Sequence, residues 1–114
     1  KGCVQFTYDA SAKKLTLLHV NAGFSCCPEE IKAEVSVDDG IIRIIESQRG
    51  PNCRCDCLFD LHIVVENVPP RTFGIVVEEP LRNAQDVPID FTIDLAKDTQ
   101  GEHCVARNFY PWGM

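Results

Sequence analysis

In Cys55-Asp56-Cys57-Leu58-Phe59-Asp60-Leu61-His62-Ile63-Val64-Val65-Glu66, a sulfur or large apolar side chain stands at every odd position. A period of two puts Cys55, Cys57, Phe59, Leu61, Ile63 and Val65 on one face of an extended strand. Leu58, Asp60, His62, Val64 and Glu66 take the other. Asn67-Val68-Pro69-Pro70 then ends the strand, because proline supplies no ladder donor. On the C-terminal side, Thr72 to Glu78 resumes the alternation with Phe73, Ile75 and Val77. Ile89 to Leu95 repeats it with Ile89, Phe91, Ile93 and Leu95. On the N-terminal side, Ile31 to Val37 carries Ile31, Ala33, Val35 and Val37 on one face. It joins Ile41 to Ser47 through Asp39-Gly40, a dipeptide that tolerates the positive φ of a tight hairpin. Val4 to Tyr8 and Leu15 to Asn21 flank a polar loop, and a piece near Cys104 to Tyr110 is expected as a last edge strand.

No window sustains the spacing of three and four that a helix needs, so no helix longer than about two turns is expected. About seven or eight short strands without helical crossovers imply an all-β fold, an antiparallel two-sheet sandwich, immunoglobulin-like in general shape. Its expected core is Phe59, Leu61, Ile63, Phe73, Ile75, Phe91 and Ile93. Glu78 to Pro88 reads as a long loop. At 114 residues the chain is expected to form one domain across 1–114. No run approaches the ~20 apolar residues of a membrane span. The net charge of −6 disfavours nucleic acid and anionic surfaces, which are bound through clustered Lys and Arg.

Seven cysteines in so short a chain point to an oxidising compartment or to a metal. The chain also starts at Lys1 without an initiating Met, as a processed or trimmed chain would. Five cysteines form two knots, Cys26-Cys27-Pro28 and Cys53-x-Cys55-x-Cys57, with Cys3 and Cys104 apart. If Cys53 lies in the strand with Cys55 and Cys57, the three thiols form a row. Their parallel Cβ vectors would keep them from bridging one another. Partners must then come from Cys26 and Cys27, so the knots should touch, either through disulfides or around zinc or another thiophilic ion. A Cys3–Cys104 pair would leave an odd set of five. The spacing is not the Cys-x-x-Cys of a zinc knuckle, and no Cys-x-x-Cys at a helix start supports thiol-redox chemistry.

Elsewhere the residues read more plainly. Asp60, His62 and Glu66 look like a solvated sheet face, His19 like a core or rim histidine in line with Leu15 and Leu17, and His103, ahead of Cys104, like a ligand only if that end folds near the knots. Glu29-Glu30, Asp38-Asp39 and Glu78-Glu79 read as solubilising loop charges. Phe109-Tyr110-Pro111-Trp112-Gly113 is expected to pack back onto the sandwich, with a protein partner as the alternative use. No nucleophile elbow, phosphate loop, zinc-protease motif or dinucleotide fingerprint occurs, so no enzyme and no cofactor are expected.

Cys26-Cys27-Pro28, Cys53-x-Cys55-x-Cys57-Leu58-Phe59-Asp60-Leu61 and Asn67-Val68-Pro69-Pro70-x-Thr72-Phe73 together resemble a group of small lipoproteins and secreted proteins of anaerobic Gram-negative bacteria. The likeness runs from about Leu15 to Glu79 and departs from the group at Arg71, where glycine is common. It implies an exported or cell-envelope β-sandwich and brings no catalytic residues. Lys1 ahead of Gly2-Cys3 departs from the small apolar signal of a lipidated cysteine.

Overall fold

A computed structural model describes residues 1–51 and 53–113. It contains eight strands: β1 (Gly2–Asp9), β2 (Lys14–Ser25), β3 (Glu30–Asp38), β4 (Ile41–Arg49), β5 (Asp56–Val65), β6 (Thr72–Glu78), β7 (Ile89–Asp94) and β8 (Gln100–Val105). They form two four-stranded sheets, in the orders β5-β2-β1-β8 and β3-β4-β6-β7. Among the described residues there is no helix, and so none long and apolar enough to cross a membrane. One pairing departs from the antiparallel expectation: β4 and β6 run parallel, Ile42 opposite Ile75 and Ile44 opposite Val77. The intervening β5 lies in the other sheet, so the chain returns to β4 by a crossover and not by a hairpin.

Turn chemistry sets the registers. Asp38 pairs with Ile41 across Asp39 and Gly40, whose φ values of 51° and 73° are those of a two-residue hairpin. At the β1–β2 turn the Asp9 carboxylate accepts hydrogen bonds from the Ser11 and Ala12 amides and the Ser11 hydroxyl, folding the loop on itself. The inner faces of the two sheets share one core: Val4, Phe6, Leu15, Leu17, Ile63 and Val65 meet Ile42, Ile44, Phe73, Ile75, Ile89 and Ile93.

The expected core needs correcting at two places. Ile63, Phe73, Ile75 and Ile93 belong to it and Phe91 packs against it, but Phe59 and Leu61 stay half-buried outside it. They sit on β5, an edge strand, where the two sheets part. The last strand also ends earlier than expected, at Val105, because the chain turns away into a closing segment. The loop from 79 to 88 is a loop, as the sequence implies.

Candidate functional site

In four places the inward stripe of a strand runs one step past its apolar residues and ends on a polar side chain. Leu15 and Leu17 lead to His19, Ile42 and Ile44 to Glu46, Phe73, Ile75 and Val77 to Glu79, and Val105 to Arg107. Since alternate residues share a face, all four point between the sheets. They meet there as a buried layer. The His19 Nδ1 is 2.5 Å from Glu46 Oε2, and its Nε2 is 3.7 Å from Glu79 Oε2. Arg107 donates from Nη2 to Glu79 Oε1 and from Nη1 to the Val87 carbonyl, each at 2.5 Å. The side chains of Glu46, Glu79 and Arg107 are 0% exposed and that of His19 is 1% exposed. Even so, His19 Nε2, Glu46 Oε1, Glu79 Oε2 and Arg107 Nε have no hydrogen-bond partner among the described residues.

Burial disfavours the charged form of Glu46 and pushes its carboxyl above the ordinary value. His19 pulls it back down, and the Glu79 charge adds to the rise. A carboxylate–imidazole–carboxylate chain can hold and redistribute a proton. Enclosed as it is, this one presents no atom directly to a solute.

Beyond His19, β2 carries a bulge between His19 and Ala22 that brings Ala22 and Phe24 inward in place of Asn21 and Gly23. Asn21 takes a positive φ of 63°, and its amide donates to the outward Asp60 carboxylate, which gives that residue of β5 a structural role. The closing segment covers this stretch. The Trp112 Nε1–H donates to the Asn21 carbonyl at 2.6 Å, its ring lies 5.6 Å from the Arg107 guanidinium, and Tyr110 Oη accepts from the Asp56 amide. Gly23 makes room for it: a Cβ there would stand 2.8 Å from the Trp112 ring. The aromatic tail therefore packs back through Pro111 and Trp112, while Phe109 and Tyr110 keep 37% and 54% of their surface exposed.

The cysteine knots do meet. Cys26 bonds Cys57 and Cys27 bonds Cys53, with Cα separations of 4.9 and 5.9 Å, and Cys3 bonds Cys104 across the β1–β8 pair. Ser25 Oγ organises the junction by accepting from the amides of Cys27 and Cys53, and the Cys26 amide donates to the Cys55 carbonyl. The supposed row of three thiols is absent, however. β5 begins at Asp56, so Cys53 and Cys55 precede the strand and only Cys57 lies in it. Cys55 is exposed and free. Bonded in pairs, Cys26, Cys27, Cys53 and Cys57 carry no thiolate charge, and the sulfur donors that zinc requires would exist only after reduction.

His62 and Glu66 are exposed, and His103 stacks on Phe91 with ring centroids 4.6 Å apart. Glu29 and Glu30 are surface charges facing Arg49. Glu79 is not, and reading it as a loop charge missed that it extends the Phe73–Ile75–Val77 stripe. The same signal was present for Glu46 and Arg107. Comparisons with protein-family models, curated proteins and solved structures find no match for this chain.

Proposed function

We propose that this chain is an exported or cell-envelope module, periplasmic or secreted, with a binding or structural role and no catalytic one. It forms one domain, immunoglobulin-like in general shape, whose cysteines act as covalent staples, in keeping with its resemblance to small lipoproteins and secreted proteins. The observation that carries this reading is the pairing of six of the seven cysteines within one chain. Such bridges persist outside the reducing cytoplasm and are rare inside it. The net charge of −6 disfavours nucleic acid as a partner, and the exposed Phe109 and Tyr110 rings offer an apolar contact to a protein. Intact mass after alkylation of the denatured, unreduced protein tests the reading. One adduct, on Cys55, is expected, with a peptide map linking 26 to 57, 27 to 53 and 3 to 104. Adducts on most cysteines before reduction would overturn it.

A second reading, a thiol-redox or metal-binding protein, is favoured by the placement of Cys55 alone. Its free thiol belongs to the residue whose carbonyl binds the Cys26 amide, beside two disulfides. As a thiolate it could attack one sulfur of the Cys26–Cys57 bridge, forming one S–S bond while breaking another and releasing the other cysteine as a thiolate. Mixed-disulfide mapping and elemental analysis for zinc separate this reading from the first.

A further inference from the structure

Each sheet has two edges, and they are not alike. On one flank β7 and β8 are short, six residues each, with Pro88 just ahead of β7. On the other flank, β5 has its first amide occupied by Tyr110. The remaining edge, β3, is nine residues long and pairs with β4 alone. It has no proline and no bulge. Its inward stripe is only partly covered: Ile31 and Ala33 are half-buried, and Val35 and Val37 are 38% and 52% exposed. Between this stripe and Leu61 and Ile63 of β5 lies an open groove of about 290 Å³. Long, regular edges with apolar exposure are templates for strand addition, which proteins normally block.

We propose that β3 pairs antiparallel with β3 of a second copy, across a two-fold axis, to join two four-stranded sheets into one. The pattern of charge on the outer face of β3 carries this inference. Lys32 and Glu34 lie side by side there, 4.0 Å apart and both exposed, between Glu30 and Asp38. In a self-complementary pair each residue meets the one equally far beyond the axis. An axis through Ala33 sets Lys32 opposite Glu34 twice and Ile31 opposite Val35 twice. An axis through Val35 sets Lys32 opposite Asp38, Glu34 opposite Ser36, and Ala33 opposite Val37. The neighbouring registers fail: an axis through Lys32 sets lysine on lysine, and one through Glu34 sets glutamate on glutamate and Glu30 on Asp38. Like charges directly opposite destabilise a ladder. In these two registers, the ones that overlap most of β3 without opposing like charges, Lys32 meets a carboxylate and the apolar lip of one copy continues into that of the other.

Sedimentation equilibrium on the whole chain tests this, with Cys55→Ser in every protein so that an intermolecular disulfide cannot stand in for the interface. A concentration-dependent monomer–dimer equilibrium is expected. Lys32→Glu should raise its dissociation constant roughly tenfold or more, through two lost attractions and two new repulsions. Adding Glu34→Lys to Lys32→Glu should restore association if the axis passes through Ala33, and adding Asp38→Lys should do so if it passes through Val35. All these side chains are exposed, and unchanged circular dichroism would confirm that the variants fold. The proposal is overturned by a chain that stays monomeric at all concentrations. A dimer indifferent to Lys32→Glu, or the failure of both second substitutions to restore it, overturns it equally.

Discussion

The two halves of β2 sit in one continuous strand yet face different interiors. Before the bulge, Leu15 and Leu17 enter a core of aliphatic and aromatic side chains from both sheets. From His19 on, the strand passes a layer of charge, then, past the bulge, Ala22 and Phe24, and ends at the first of two disulfides. Contacts in the first half are non-directional and tolerate repacking of similar volume. Those in the second half are directional: ion pairs, caps on Ser25 Oγ, a glycine fitted to a tryptophan ring. A small sandwich can thus be closed by apolar burial at one end and by cross-links and polar pairing at the other. The polar end is the more brittle, because each group there depends on a particular partner.

The largest expected effect comes from breaking that end. Arg107→Met would leave the Glu79 carboxylate buried without its cation, and a loss of about 3–5 kcal/mol is expected in urea denaturation. Adding Glu79→Gln should return much of it, since removing both charges costs less than stranding one. If Arg107→Met is nearly silent, the two ends do not differ in the way described. A second measurement compares two leucines facing the same way. Leu17→Ala, fully buried, should cost about 2–5 kcal/mol, whereas Leu61→Ala, half-buried at the open flank, should cost about 1 kcal/mol. Equal losses would mean that the flank is closed in solution.

The smallest effect is in pH dependence. Folding raises the Glu46 pKa above its ordinary 4.5, so the fold favours the protonated form. The stability this contributes is fully present below about 4.5 and is lost as pH rises through the folded value. Glu46→Gln stays neutral throughout, so its stability relative to the parent should grow as pH is raised from 4.5 toward neutrality. A parallel pair of stability–pH curves would show that Glu46 does not carry this dependence.

Much of the architecture was legible because a period of two is a strong signal. The β5 stripe, the Asp39-Gly40 hairpin and the meeting of the cysteine knots all follow from it or from turn chemistry. The meeting of the knots held although its premise failed, since Cys53 and Cys55 reach their neighbours from a loop and not from a strand face. Two features were hidden for physical reasons. The bulge after His19 shifts the phase by one residue, so alternation across it misplaces Ala22 and Phe24. The parallel β4–β6 pair depends on which sheet β5 joins, and local pattern says nothing of that. The buried layer was legible in principle: each member stands where the next apolar residue of its stripe would be. Reading charge as exposure concealed it.

Cys3 and Cys104 are neighbours in space but 101 positions apart in sequence. Consider tension applied to the chain outside this pair. It enters at one sulfur and leaves at the other through a covalent bond, and the strands between carry none of it. Without that bond, the intervening segment could unravel under load and release on the order of 330 Å of extended chain. With it, the strands between the two cysteines cannot be drawn out, and the load falls on the residues outside the pair, among them the closing segment with Arg107 and Trp112.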